Sequence, residues 1–261
     1  MKNILEVQLE RQMEQVFKRP ESLKRVHFRY CPGCGHSIIH RMIAECIDEL
    51  GIRERVIGIA PVGCAVYAYD YFNFDMIECA HGRPPAVATA IKRVNPDNIV
   101  FSYQGDGDLA AIGMGEIVHA AARGEKLSVF FINNATYGMT GGQMAPTTLL
   151  KQHTTTTTRG RMANTDGYPL RIAELLATLE GVSFAARTAL NDIKNVIKTK
   201  QLVRKVFEKQ INGEGFSFLE ILSPCPTDWH LSPVDSLKWI ETEMMKVYEA
   251  RIFKDTQQKD G

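Results

Sequence analysis

Short runs of almost wholly apolar residues recur along this chain, each separated from the next by a stretch with helical spacing. RVIGIA (55–60), NIVFSYQ (98–104), LSVFFIN (127–133) and FSFLEIL (216–222) read as buried strands, and DMIECA (75–80) and VSFAAR (182–187) as two more. Between them lie SIIHRMIAECIDEL, PAVATAIKRV, AAIGMGEIVHAAAR, LRIAELLATL and NVIKTKQLVRKVFEKQ, all with helical patterns. A strand that is apolar on both sides must be covered on both sides. The expected fold is therefore α/β: a parallel central sheet with helices on both faces and right-handed crossovers. Ligands of such sheets sit beyond the carboxyl ends of the strands. Residues with chemistry are to be sought just after each apolar run.

The remainder of the chain narrows the function classes. A length of 261 residues allows one large domain or two small ones at ~150 residues each. The expected division is an N-terminal helical extension (1–25), one ligand-binding domain (26–245) and a C-terminal tail (246–261). Ile4, Leu5, Leu9, Met13, Val16 and Phe17 give the extension an apolar stripe. HTTTTTRGR (153–161) is β-branched and polar, hence a loop. Lys and Arg total 31 against 30 Asp and Glu, so no basic excess exists to neutralise nucleic-acid phosphates. No apolar run is long enough to span a membrane, and Glu6, Glu10, Arg11 and Glu14 interrupt any secretory core. The expected location is the reducing cytoplasm, where six cysteines suggest metal or redox chemistry.

Two motifs carry that chemistry. The strand NIVFSYQ runs into Gly105, Asp106, Gly107 and Asp108, and the strand LSVFFIN ends at Asn133 and Asn134. Asp106 and Asn134 are 28 residues apart, about one strand, one crossover helix and the next strand. A carboxylate and an amide oxygen side by side suit octahedral Mg²⁺ holding a diphosphate. The glycines let the backbone approach phosphate oxygens, and the following helix start offers N–H groups. Gly138, Met139, Thr140, Gly141, Gly142 and Gln143 then form a flexible, hydroxyl-bearing segment suited to wrapping the diphosphate. The second motif is Cys31-Pro-Gly-Cys34, with Cys64 after the first strand and Cys225 after the last. Each cysteine follows or precedes an element end, so four thiolates could hold zinc or a [4Fe–4S] cluster. A lone CxxC could equally be a redox dithiol. Cys46 and Cys79 fall inside a helix and a strand and read as core residues.

Taken together, YCPGCGH, IAPVGC, AHGRPPAVATAIKR, YQGDGDLAAIG, FINNATYGMTGGQMAPTT and SPCPT resemble the β subunit of 2-oxoacid:ferredoxin oxidoreductases of the 2-oxoglutarate or 2-oxoisovalerate type. The resemblance spans roughly residues 28 to 240. It implies a thiamine diphosphate-binding fold and a reaction that joins a 2-oxoacid to coenzyme A with loss of CO₂, electrons leaving for ferredoxin. It implies Mg²⁺ on Asp106, Asn134 and the main-chain carbonyl of Thr136. It implies a [4Fe–4S] cluster on Cys31, Cys34, Cys64 and Cys225. Val62, Gly63, Cys64, Ala65 and His81 would lie at the cofactor, His81 with a catalytic role. Partner chains are implied too: an α subunit bearing the Glu that activates the aminopyrimidine, a γ subunit and a small δ ferredoxin-like subunit. Gly141 stands where some relatives carry Lys, and Ala65 where relatives often carry Ser, so the choice of 2-oxoacid stays open.

Overall fold

The computed structural model describes residues 18–256. Seven strands form one sheet: β1 (Val56–Ala60), β2 (Asp75–Glu78), β3 (Ile99–Gly105), β4 (Ser128–Asn133), β5 (Val182–Ala189), β6 (Phe216–Leu222) and β7 (Ile252–Asp255). Their order is β2-β1-β3-β4-β6-β5-β7. Every neighbouring pair is parallel except β5 with β7, which is antiparallel.

The main helices are α1 (His36–Leu50), α2 (Pro84–Val94), α3 (Met114–Ala122), α4 (Ile172–Ala177), α5 (Ile193–Ile211) and α6 (Pro233–Trp239). Side chains alternate between sheet faces along each strand. Phe101, Phe130, Ile132 and Leu219 pack with Ile39 and Ile43 of α1 and Val203 and Val206 of α5. Val100, Val129, Phe131 and Phe218 pack with Ala88 of α2, Ile117 of α3 and Ile172 of α4. The expected two-sided sheet is thus present, and truncating one core ring such as Phe130 to Ala would cost about 3–5 kcal/mol. Local signals set the helix ends. Asp192 caps α5 by accepting from the Asn195 N–H, Pro84 opens α2, and Gly51 closes α1 at φ 64°.

Three expectations need amendment. Residues 1–17 of the proposed N-terminal helix lie outside the described residues. Residues 18–25 are not helical: Pro20 cannot continue a helix, the Ser22 N–H is held by Asp48, and Leu23 makes a bridge to Phe72. The proposed tail contributes β7, whose Phe253 packs against the second core face. Cys79 follows β2 rather than lying within it.

Candidate active site

The carboxyl ends of β1, β3 and β4 lie side by side and enclose a cavity of about 120 Å³. After β1 the chain turns at Gly63, φ 89°, into a short 3₁₀ turn, Cys64–Tyr67. After β3, Asp106 caps a turn of π-helix (Gly107–Ile112) by accepting from the Gly107 N–H at 3.1 Å. After β4, Ala135 takes the left-handed conformation, φ 56°, between Asn134 and Thr136.

Asp106 is buried. Its carboxylate accepts from the Thr147 hydroxyl at 2.6 Å and the Thr136 N–H at 3.2 Å. Burial pushes its carboxyl up to about 7, against the pull of these donors. The Asn134 side-chain oxygen lies 2.8 Å from the Thr136 carbonyl oxygen and 3.2 and 3.3 Å from the two Asp106 oxygens. Turned over, the amide would donate to all three. Trp229 Nε1 donates to the Asn134 carbonyl at 3.0 Å and the Tyr248 hydroxyl to the Thr147 carbonyl at 2.5 Å, so the loops around Asp106 are tied from behind.

Of the residues singled out by sequence, Val62, Gly63, Cys64 and Ala65 line the cavity from β1, and Gly105, Asp106, Gly107 and Asp108 from β3. Asn134, Thr136, Gly138, Met139 and Thr140 line it from β4. Gly141, Gly142 and Gln143 lie behind the lining. They close a hairpin in which the Tyr137 N–H reaches the Gln143 carbonyl at 3.0 Å and the Thr140 hydroxyl the Gln143 side chain at 2.6 Å. Gly107 must be Gly, because an added Cβ would come within 2.1 Å of the Tyr137 ring.

His81 also borders the cavity. Its Nδ1 meets the Asp108 carboxylate, which further accepts from the Gly82 N–H at 2.7 Å and from Gln104 Nε2 at 2.6 Å. A carboxylate at Nδ1 holds the proton there and leaves Nε2 as the free nitrogen. Burial holds the Asp108 carboxyl above its ordinary range.

Among the described residues, Cys64 is the cysteine that lines the cavity. Cys34 closes a turn on the Cys31 carbonyl at 3.0 Å, and the next N–H, of Gly35, reaches the Pro224 carbonyl beside Cys225. Burial pushes the Cys34 thiol up to about 11 and the Cys64 thiol to about 12, and raises Cys225 further. Neighbouring cysteines add to each shift: Cys31 and Cys34 at Cys64, and Cys34 at Cys225. Cys46 instead points into α5, 3.6 Å from the Lys200 carbonyl. Asp228, which the sequence reading passed over, lies 3.2 Å from Cys225 Sγ. A Cβ on Gly138 would stand 3.5 Å from Cys64 Sγ and 3.4 Å from both Asn134 Nδ2 and Asp228 Oδ2. His36 and Thr147 were also missed. His36 lines the cavity with Nδ1 2.6 Å from the Tyr103 hydroxyl, and burial lowers its ring to about 4. Both stand inside quoted motifs, His36 at the end of YCPGCGH and Thr147 near the end of FINNATYGMTGGQMAPTT, but their contacts follow from the fold and not from the spacing.

The sequence matches the family described as thiamine pyrophosphate enzyme, C-terminal TPP binding domain, over residues 61–221. It is 36% identical over 229 residues to the 2-oxoglutarate synthase subunit KorB of Methanocaldococcus jannaschii, covering 85% of this chain and 80% of that one. It is 31% identical to the 2-oxoacid:ferredoxin oxidoreductase subunit beta of a Sulfolobus species, covering 84% and 68%. The chain belongs to the thiamine pyrophosphate-binding subunits of the 2-oxoacid:ferredoxin oxidoreductase family. Within that family it is 46% identical over 252 residues to the ketoisovalerate oxidoreductase subunit VorA of Methanothermobacter thermautotrophicus, covering 93% of this chain and 53% of the relative. The chain described here thus spans about half the length of that relative. Its fold matches a 2-oxoglutarate:ferredoxin oxidoreductase from Magnetococcus marinus, solved with 2-oxoglutarate, coenzyme A and succinyl-CoA bound. The TM-score is 0.75 at 23% identity, over 95% of this chain and 88% of that chain.

Proposed function

We propose that this subunit carries the thiamine diphosphate of a 2-oxoacid:ferredoxin oxidoreductase, and that Asp106, Asn134 and the Thr136 carbonyl hold the Mg²⁺ that anchors it. The observation that carries the reading is the place of the Asn134 side-chain oxygen, 2.8 Å from the Thr136 carbonyl oxygen and 3.2 and 3.3 Å from the Asp106 oxygens. Adjacent ligands of octahedral Mg²⁺, each at about 2.1 Å, stand about 3 Å apart, so the donor set fits the ion. Bound there, thiamine diphosphate would supply the electron sink for decarboxylating a 2-oxoacid.

The chain's own residues have definite tasks. Asp106 would release its proton to solvent as the cation takes its place on the carboxylate. Gly107, without a Cβ, lets the backbone approach the diphosphate. His81, fixed by Asp108, offers Nε2 to the cavity as a hydrogen-bonding or proton-carrying group. Cys31, Cys34, Cys64 and Cys225 would hold a [4Fe–4S] cluster, whose one-electron chemistry suits ferredoxin as acceptor. The Cys34, Cys64 and Cys225 thiols, raised chiefly by burial, need a cationic centre to become thiolates. Among the described residues no three His, Cys, Asp or Glu groups close to the spacing of one ion. That favours a four-iron cluster, which holds its thiolates further apart than zinc does.

The acyl acceptor would be coenzyme A. The α subunit would supply the carboxylate that activates the aminopyrimidine, with γ and δ subunits completing the assembly. Among the described residues no Lys or Arg lines the cavity, and Gly141 offers no cation. A branched-chain 2-oxoacid is favoured over 2-oxoglutarate by the higher identity to the ketoisovalerate oxidoreductase subunit, 46% against 36% for the 2-oxoglutarate synthase subunit. Anaerobic purification of the assembly tests the reading: a dithionite-bleached absorption near ~400 nm and 2-oxoisovalerate-dependent dye reduction are expected. Zinc with no iron would reject the cluster, and no thiamine diphosphate binding would reject the whole reading.

A further inference from the structure

Arg187 of β5 and Glu220 of β6 are register partners in the middle of the sheet, and both side chains are 0% exposed. Arg187 Nε lies 2.9 Å from Glu220 Oε2, off the hydrogen-bond axis. The guanidinium also binds Glu174 of α4 and the Glu249 carbonyl, at 3.0 and 3.2 Å. A buried ion pair is a poor way to hold a sheet together, because apolar residues of like volume commonly serve as well or better. Its far end suggests another task.

The second Glu220 oxygen accepts from Asn133 Nδ2 at 2.7 Å. Facing Arg187 on one side, Glu220 presents an acceptor on the other, and this fixes which way the Asn133 amide points. Asn133 Oδ1 then accepts from the Ala135 N–H at 3.1 Å. Ala135 is the residue at φ 56°, a conformation that side chains with a Cβ avoid. That one step turns the chain so that the Asn134 side chain and the Thr136 carbonyl meet Asp106. Asn133 and Asn134 are adjacent and alike, yet only Asn134 faces the cavity.

We infer that Glu220 and Asn133 are positioning residues, which through the Ala135 N–H set the geometry of the metal-binding loop. The inference rests on the proposed Mg²⁺ site. Arg187 and Glu174 hold Glu220 in place from the opposite end, so the network runs from α4 across β5, β6 and β4 to the loop.

The test uses the choice between two ions. Mg²⁺ demands near-ideal octahedral geometry, whereas Ca²⁺ accepts six to eight oxygens in flexible arrangements. Thiamine diphosphate affinity of the native assembly is measured by calorimetry with each ion, for wild type, Asn133→Ala and Glu220→Gln. Asn133→Ala should weaken binding with Mg²⁺ by about 10- to 100-fold, as loss of a group behind a ligand does, and with Ca²⁺ far less. Glu220→Gln should show the same preference in milder form. Equal losses with both ions, or no loss, would overturn the inference. So would failure of both variants to fold, since the network would then be structural. Asp106→Ala separates the two levels. If it binds as wild type does, the Mg²⁺ reading has failed; if it does not bind, the Asn133 and Glu220 results decide.

Discussion

The side-chain oxygen of Asn134 stands 2.8 Å from the main-chain oxygen of Thr136. Two acceptors at that distance repel unless a proton or a cation lies between them. Asp106 closes the third side, and burial alone makes its negative charge unfavourable. The three groups are thus poised for an ion, and their separation across one strand–helix–strand unit is what the sequence spacing anticipates.

Asp106→Ala should abolish retention of thiamine diphosphate while the protein still folds, since the change removes a buried carboxylate and adds no volume. Isothermal calorimetry with Mg²⁺ checks it. Thr147 loses its acceptor, so a stability loss of about 1–3 kcal/mol is expected alongside.

Serine in place of Cys31, Cys34, Cys64 or Cys225 should lower iron content, whereas serine at Cys46 or Cys79 should not. Cys46 sits in the α1–α5 contact and Cys79 beside β2, away from the other four. Iron and sulfide analysis of the six variants is the measurement. Loss of iron from Cys46→Ser with retention in Cys64→Ser would reverse the assignment.

The subunit on its own, loaded with cofactor under anaerobic conditions, should turn over neither 2-oxoisovalerate nor 2-oxoglutarate. Adding the α subunit should restore coenzyme A-dependent dye reduction, faster with 2-oxoisovalerate. Turnover by this chain alone would show that it carries its own activating carboxylate.

Stability should fall in mild acid because of His40. It is fully buried, with Nε2 2.7 Å from the Tyr30 hydroxyl and Nδ1 without a partner. Burial holds its ring well below the ordinary value of 6.5. The folded state therefore keeps it neutral while the unfolded state takes up a proton. Its contribution is intact above the unfolded value and is lost as pH falls below about 6.5, at up to about 1.4 kcal/mol per pH unit. Denaturant melts between pH 7 and 5 should show this slope as the difference between wild type and His40→Phe, since the buried His36 adds a slope of the same sign and the buried Asp106 one of opposite sign in both proteins.

Much of this was legible in the sequence because strands buried on both faces leave continuous apolar runs, as in β4 and β6. FSFLEIL coincides with its strand from Phe216 to Leu222. Asp106 and Asn134 were legible because a crossover has a nearly fixed length. What escaped acts through contacts distant in sequence, even where the residue stands inside a quoted motif. Thr147 reaches Asp106 across 41 residues and Trp229 reaches Asn134 across 95. Glu220 lies within an apolar strand, and nothing local marks it as the acceptor for Asn133 Nδ2, 87 residues away in sequence. β7 was hidden because an edge strand of four residues pairs on one side alone and needs no long apolar run.

Gly138 has one more consequence. The space its missing Cβ would take lies 3.4 Å from Asn134 Nδ2 and 3.5 Å from Cys64 Sγ, so the proposed metal ligand and the proposed cluster ligand border one gap. Electrons passing from the proposed cofactor to the proposed cluster would cross that gap, and tunnelling depends on its width. A residue larger than alanine here would press on Asn134 and Cys64 together, and would be felt both in cofactor affinity and in how fast electrons leave the site.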